Sequence, residues 1–349
     1  MTNFSIDVGG SLVRLVANDN PTIVKYDSEF AILPDDVQIM ASTPSKDSTA
    51  IIKFCGQDYS VVKGRSMNLY QTVPKTCDNS TLKTDFIGTY LNILYAIGRY
   101  ALKEGQAIVH ARAGVCLPPS EVYRGARDRF VANLAGEHVI DFPLLNERIT
   151  IVLKKSDIVC VAEGIAACLS IQDQAALNRV SKGSVILIDV GFRSTEIAVF
   201  RNGDIYRGAF DSKPIGGINT EAMLHSALEK KGMFRDKDEI RNILAHGVIS
   251  AGSTQHPIGS VVLSIKRKFA ETLRTNVLSV FNAAGLNLSS ANYFLPIGRP
   301  FLETGKRDTD TFGGSLIDLL SEQLGIEAIR ISNIEDANVI GAASLLNVH

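Results

Sequence analysis

The segment Ile6-Asp7-Val8-Gly9 returns unchanged as Ile188-Asp189-Val190-Gly191, and the likeness extends well past four residues. "FSIDVGGSLVRLVANDNPTIVKY" reads as strand, glycine turn, strand, an Asn/Asp/Pro turn and a third strand. From residue 184, "SVILIDVG" reads as a buried strand, "FRSTEIAVF" alternates, and "RNGD" is an Asn-Gly hairpin signal ahead of "IYRGAF". Each copy is therefore a three-strand meander with an acid and a glycine at its first bend. An internal repeat of this kind constrains the chain to two related halves.

The rest of the chain supplies the helices that two such halves need. "KTDFIGTYLNILYAIGRYALKEG" is a helix candidate and "AIVHARAGVCLP" is strand-like. After Pro118-Pro119, "SEVYRGARDRFVANLAG" has capping-box character, with Ser120 ahead of the helical spacing. "ERITIVLKKSDIVCVAEGIAACLSIQDQAAL" gives strands running into a helix. Helices then dominate: "GGINTEAMLHSALEKKG", "DKDEIRNILAHG" and the long "PIGSVVLSIKRKFAETLRTNVLSVFNAAG". Strand "NYFLPIG", helix "GGSLIDLLSEQLG", a short strand and a closing helix "IEDANVIGAASLLNV" complete it. The pattern predicts two α/β halves, each opening with the same meander, joined by linkers near 165–184 and 331–335.

At 349 residues and 45% hydrophobic composition, the chain is long enough for one large domain or two medium ones. Lys+Arg 36 against Asp+Glu 37 leaves a net charge of -1, which argues against a chain built mainly to bind nucleic acid or a membrane surface. Cys55, Cys77, Cys116, Cys160 and Cys168 show no C-x-x-C pair and no His at metal spacing, so reduced core thiols are expected. No apolar run reaches membrane-spanning length. The opening "MTNFSIDVGG" lacks a basic segment followed by a hydrophobic core. A soluble cytoplasmic protein is expected.

A strand that ends in Asp-x-Gly and turns back leaves turn N–H groups able to bind anions, with glycine permitting close approach. A carboxylate beside bound phosphate would repel it unless a cation lies between. Two such carboxylates, Asp7 and Asp189, point to a hard divalent cation, Mg²⁺ with several waters retained. Arg14 follows Asp7 on the returning strand, within reach of a phosphate oxygen; Ser194 and Thr195 add hydroxyls in the second copy. A single Asp-x-Gly bend is also ordinary turn chemistry; the matched pair favours the phosphate reading.

The two bends resemble the phosphate-1 and phosphate-2 loops of the actin-like ATPase superfamily, in order over nearly the whole chain. "VCLPPSEVYRGARDRF" resembles the strand of ParM-type plasmid-segregation actins that ends in Leu-Pro and enters a helix through a Glu and a Tyr. "VCVAEGIAACLS" resembles their connect-1 segment, with a Glu at the start of the interdomain helix. The resemblance implies a bilobal actin-like (ribonuclease H-like) α/β fold, two duplicated domains around a nucleotide cleft. Residues 1–165 with 332–349 would be domain I and 166–331 domain II.

The resemblance also implies roles. Asp7 and Asp189 would hold hydrated Mg²⁺ through water, and Glu163 would orient or deprotonate the attacking water, so Glu163, Asp189 and Asp7 are the catalytic set. Gly9, Gly10, Ser11, Arg14, Gly191, Ser194 and Thr195 would take the phosphates. Arg14 stands where the family usually has Lys, a planar fork in place of a point charge. Gly216, Gly217 and Asn219 would lie by the ribose, and Gly298 with Arg299 by the base. Glu163 is equally a helix N-terminal acid favoured by the dipole. Gly216-Gly217 with Thr220 is also ordinary helix entry, and Lys266-Arg267-Lys268 reads as a solvated helix face.

Two departures stand out. "FLPIGRPFLETG" offers only Gly298 where the family's adenosine loop has two or three glycines, which leaves ATP against GTP open. Phe192-Arg193 replace the Gly-Thr of ParM-type chains, so Arg193 either adds charge or serves a contact between copies. "EDANVIGAASLL" fits a closing helix whose small residues let it cross the Glu163 helix closely; such residues equally suit core packing. The implied function is ATP·Mg²⁺ binding, filament assembly from copies of the chain, and hydrolysis driving plasmid segregation. DNA would be reached through an adaptor on a centromere-like site, without direct nucleic-acid or membrane contact. The alternatives are a small-molecule kinase of the same superfamily and a nucleotide-binding scaffold with little hydrolysis.

Overall fold

A computed structural model describes residues 1–17, 20–35, 37–40, 43, 45–70, 75, 82–251, 254–301 and 315–347. The chain makes β1 (Thr2–Val8), β2 (Leu12–Ala17), β3 (Asn20–Asp27), β4 (Phe30–Ile32), β5 (Thr49–Phe54) and β6 (Gln57–Lys63). Next come α1 (Ile87–Lys103), β7 (Ile108–Leu117), α2 (Pro119–Tyr123), α3 (Ala126–Leu134), β8 (Gly136–Phe142), β9 (Glu147–Ala162) and α4 (Ile165–Leu169). Then follow α5 (Gln174–Lys182), β10 (Ser184–Val190), β11 (Thr195–Arg201), β12 (Asp204–Lys213), α6 (Gly217–Glu229) and α7 (Lys237–His246). The rest is β13 (Val248–Ala251), β14 (Thr254–Pro257), α8 (Gly259–Ala283), β15 (Tyr293–Ile297), α9 (Leu316–Leu324), β16 (Glu327–Ala328) and α10 (Ala337–Asn347). Two compact units result, Met1–Ser170 with Asp336–His349, and Ile171–Glu335.

In the first unit the sheet runs β3-β2-β1-β7-β9-β8-β5-β6-β4 among the described residues. β1, β7 and β9 are mutually parallel, and the β1-β2-β3 meander is antiparallel. β1 is central and covered on both faces, which is why "FSIDV" is buried throughout. Phe4 and Ile6 enter the core beneath α1, where the Phe4 ring meets Tyr100 edge-on at 5.3 Å. Ser5, on the opposite face, donates through Oγ to the Val339 carbonyl of α10 at 2.6 Å. α10 approaches closely because that side carries small residues: a Cβ at Gly114 would lie 3.1 Å from Leu346, and one at Gly341 1.5 Å from the Ala166 carbonyl oxygen.

In the second unit the order is β12-β11-β10-β15-β16, with β10, β15 and β16 parallel and the first three an antiparallel meander. This repeats β3-β2-β1-β7-β9 strand for strand. The Asn-Gly hairpin forms as expected, Asn202 at φ 54° and Gly203 at φ 85° joining paired Arg201 and Asp204. α8 buries Phe269, Leu273, Val277, Val280 and Phe281 against this sheet. A smaller core of Leu224, Leu228, Ile240, Ile243 and Ile249 gathers α6, α7 and the β13-β14 hairpin.

Several expectations are corrected. Ser120 is not a cap: α2 starts at Pro119 behind Pro118, and Gly125, at φ 89°, separates α2 from α3. β11 does not alternate as expected: Thr195 and Glu196 are followed by the apolar run 197–200, and all six are buried because the strand is internal to the sheet. The β13-β14 hairpin was not expected from "GVISAGSTQHPIG". Cys116 and Cys160 are buried free thiols, as expected, but Cys55 is exposed at φ 49° in the Cys55-Gly56 hairpin. Burial pushes the Cys160 and Cys168 thiols up to about 12, which keeps them unreactive. Cys77 lies outside the described residues.

The first unit also buries a lysine. Lys63, 4% exposed at the end of β6, donates to Asn92 Oδ1 of α1 and lies 5.0 Å from the Tyr95 ring centroid. Burial pushes its pKa down to about 7, against an upward pull from Asp27 and with a further downward push from Arg99. Between about pH 7 and 10.5 the unfolded chain then binds more protons than the folded one, so stability rises with pH there and the burial penalty is fully present below it. Lys63→Met is expected to remove this rise, up to ~1.4 kcal/mol per pH unit, in denaturant unfolding across that window. Parallel slopes for both proteins would refute the account.

Candidate functional site

The two acid–glycine bends are built alike. Asp7 and Asp189 are the penultimate residues of β1 and β10, and each is 7% exposed. Each following bend is closed by one backbone bond, Gly9 N–H to the Leu12 carbonyl at 2.9 Å and Gly191 N–H to the Ser194 carbonyl at 2.8 Å. A Cβ at Gly9 would lie 3.0 Å from the Leu12 oxygen, and one at Gly191 3.1 Å from the Ser194 oxygen. Gly10 and Ser11, both half-buried, fill the first bend.

The side chains around the two acids differ. By register Asp7 faces Arg14 on β2. Arg14 Nη1 lies 3.3 Å from Asp7 Oδ2 while its Nε donates to Asp336 Oδ1 at 2.9 Å, and Lys25 Nζ reaches the same Asp336 oxygen at 3.0 Å. Two acids and two bases thus share one cluster at the mouth of the first bend, and the Arg14 fork bridges both acids. By the same register Asp189 faces Glu196 on β11, and Glu196 faces Ser212 on β12. Glu196 is 3% exposed and accepts from Ser212 Oγ at 2.7 Å. Asp336 and Glu196 are the acids that sequence reasoning missed. Glu196 was within reach, since Asp7 to Arg14 and Asp189 to Glu196 are the same seven-residue step; nothing local marks Asp336.

Within the second unit, three of the expected segments meet through backbone. Gly217 N–H donates to the Gly191 carbonyl at 3.0 Å and Ile218 N–H to the Phe192 carbonyl at 2.8 Å, so the first amides of α6 hold the second bend. A Cβ at Gly216 would lie 2.6 Å from the Phe192 oxygen. The Gly216 amide donates to Asn219 Oδ1 at 2.8 Å, while the Thr220 hydroxyl donates back to the Gly217 carbonyl. Gly298, at φ 104°, crosses the end of β10 so closely that a Cβ would lie 2.1 Å from the Val190 oxygen. Arg299 follows it, exposed. Thr195 is fully buried, its hydroxyl donating to the Ile215 carbonyl at 2.8 Å, whereas Ser194 is half-buried. Phe192 lies under the Arg241 guanidinium at 5.3 Å, and Arg241 donates to Glu221 at 2.8 Å.

Glu163 follows β9, 6% exposed, ahead of α4. Its amide donates to the Leu117 carbonyl at 2.8 Å, and the next amide, Gly164 N–H, donates to Asn338 Oδ1 of α10 at 2.8 Å. Its Oε1 is 2.5 Å from Lys83 Nζ.

No protein-family model and no curated protein matches the chain. Solved structures do. The archaeal actin homolog Ta0583 superposes with a TM-score of 0.74 at 15% identity, over 100% of this chain and 99% of its own, and has also been solved with ADP. The actin-like protein Alp7A gives 0.75 at 13% identity, over 99% and 96% of the two chains. ParM in a 15-stranded filament from Clostridium botulinum gives 0.65 at 16% identity, over 100% and 99%. The chain has an actin-like fold. The duplicated five-strand order is the part of that actin-like fold that sets an acid–glycine bend at the same sheet position twice.

The oxygen donors of both bends suit a hard cation, and both lack the Cβ that would fill the bend. The glycines can be tested apart from any ligand. Gly298→Ala meets both a left-handed φ and the Val190 oxygen, so it is expected to cost ~3 kcal/mol or more. Gly325→Ala, at φ 68° with open space around it, should cost only ~1 kcal/mol. Equal losses in denaturant unfolding would refute the close crossing.

Proposed function

We propose that the chain is an actin-like ATPase of the ParM kind. It binds ATP with Mg²⁺, polymerises with its own copies, and hydrolyses ATP to set filament lifetime. Its task is the segregation of plasmid DNA in the cytoplasm, reached through an adaptor bound to a centromere-like site. The first unit serves as domain I and the second as domain II. The observation that carries the reading is the doubled bend: the same acid, glycine and closing hydrogen bond at the end of the first strand of both sheets. The ADP complex of Ta0583 and the ParM filament lend it support as properties of those proteins. No helix among the described residues is long and apolar enough to cross a membrane.

In this reading Asp7 and Asp189 hold Mg²⁺ through water, and the bound ion supplies neutralisation of phosphate charge. Gly9, Gly10, Ser11, Gly191 and Ser194 cradle the phosphates with amides and a hydroxyl, and Arg14 adds a cation already oriented by Asp7 and Asp336. Thr195 acts more indirectly, fastening the second bend to residue 215. Gly216, Gly217 and Asn219 flank the ribose, with Gly298 and Arg299 beside the base. Glu163 orients a water whose oxygen bonds to the γ-phosphorus as the bond to the β,γ-bridging oxygen breaks. ADP leaves with that electron pair, and the water's proton passes to Glu163 and on to the released phosphate. Little covalent work falls to the protein; positioning and charge neutralisation are the catalysis.

Phosphate release by the pure protein with ATP and Mg²⁺, read beside sedimentation, tests this. Turnover per molecule should rise with protein concentration as filaments pellet. Asp189→Ala should lose about a hundredfold or more in turnover while unfolding at an unchanged temperature. Turnover that needs a small acceptor and ignores protein concentration would instead make the chain a kinase. Unchanged turnover in Asp189→Ala would remove that residue from the mechanism.

A further inference from the structure

Glu163 has a partner that no motif announces. Lys83 lies in the turn ahead of α1, and that turn is fastened from three helices. The amides of Lys83 and Thr84 donate to the two carboxylate oxygens of Glu121 in α2, at 2.9 and 2.8 Å. The Tyr90 hydroxyl of α1 donates to the Thr84 carbonyl at 2.6 Å, and Arg129 of α3 pairs with Asp85 at 2.5 Å. Glu121 itself is 4% exposed, in the Leu-Pro segment that also supplies the carbonyl of Leu117 to the Glu163 amide. From this braced backbone Lys83 Nζ meets Glu163 Oε1 at 2.5 Å, the side chains 17% and 8% exposed.

We propose that Lys83 is the positioning residue for Glu163: it fixes one carboxylate oxygen so that the other is aimed at the attacking water. The proposal rests on the ATPase reading above. Three physical points carry it. An ion pair so little exposed is poor evidence of stability, because desolvation offsets its attraction, so a geometric use is the better account of it. A carboxylate offers about four acceptor sites over two oxygens, and an ammonium held on Oε1 fixes the plane in which Oε2 can accept from a water. A neighbouring ammonium also favours the ionised form, the form a general base must start from. The other charged groups at this turn are engaged elsewhere, Glu121 by two amides and Asp85 by Arg129, so Lys83 is the cation that the turn delivers to Glu163. Its backbone is held at its own amide and at Thr84, and Glu163 is held at its own amide and at Gly164. The reach between them is therefore defined from both ends.

The test compares wild type, Lys83→Gln, Lys83→Arg, Glu163→Gln and the Lys83→Gln/Glu163→Gln pair in ATP hydrolysis with Mg²⁺ across pH. Lys83→Gln keeps length and a donor, which protects the fold. It should lower kcat about tenfold or more with KM little changed, and move the acidic limb of the profile to higher pH. Lys83→Arg should restore both. In the double variant, loss of Lys83 should add nothing to the loss from Glu163→Gln, as expected for residues acting as one unit. Without nucleotide, the carboxyl ¹³C resonance that vanishes in Glu163→Gln should titrate at higher pH in Lys83→Gln than in wild type. Additive losses, or an unmoved limb and resonance in an active enzyme, overturn the positioning role alone. A wild type without turnover overturns the ATPase reading and this role with it, even where the resonance moves.

Discussion

The backbone of α10 lies against that of α4 with no room for a side chain at residue 341, and the first unit is organised around that approach. A Cβ there would lie 1.5 Å from the Ala166 carbonyl, a backbone atom that cannot rotate aside. The chain leaves this unit at Ser170 and re-enters it at Asp336, so α10 is what closes it. Because the helix can come so near, its carbonyls and side chains reach β1, β7 and α4 directly. Val339 accepts from Ser5 and Asn338 accepts from the Gly164 amide, while Asp336, just ahead of the helix, receives Arg14 of β2. The residues flanking both the first bend and Glu163 are thus held by one helix more than 160 positions away in sequence.

The same closeness explains the composition of that layer. The sheet face under α10 offers Ser5, Gly114 and Cys116, where the face under α1 offers Phe4, Ile6 and Val115. A large apolar residue on the α10 side would lift the helix and break the polar contacts, while a small one under α1 would leave a void. β1 and β7 therefore each serve two spacings, and their alternation of large and small residues follows from them.

Much of the fold was legible because its signals are local. The meanders, the Asn202-Gly203 hairpin, α1 within "KTDFIGTYLNILYAIGRYALKEG" and the small-residue closing helix each rest on turn chemistry or periodicity within a few residues. What escaped depends on pairing at a distance. Lys83 and Glu163 are 80 residues apart, and Arg14 and Asp336 are 322 apart; neither pair leaves a trace in spacing. Ser120 misled because a Ser followed by helical spacing is a cap only if the chain turns there, and Pro118-Pro119 had already started the helix. The stretch "FRSTEIAVF" misled as an alternating strand: its polar residues cluster ahead of an apolar run, and the internal strand it forms buries Thr195 and Glu196 along with that run. Of the site, the glycines could be read, since each is demanded by its own bend or crossing, and the seven-residue step from acid to returning strand gave Arg14 and put Glu196 within reach; Asp336 and Lys83, which arrive from distant segments, could not be read.

That division bears on how the two bends differ. Their backbones are interchangeable to within a tenth of an ångström in the closing hydrogen bond. Their electrostatics are opposed by what stands seven residues on. Arg14 meets Asp7 with an opposite charge and carries Asp336 and its second partner Lys25 along with it, so the first bend is neutral in its own cluster and an arriving anion competes with two carboxylates for the guanidinium. Glu196 meets Asp189 with a like charge in a buried row, an arrangement that favours a cation nearby. An identical loop backbone therefore presents a partnered cation on one sheet and paired acids on the other. The bends thus differ at positions 14 and 196 on the returning strands as well as in Phe192-Arg193 at the tip of the second bend.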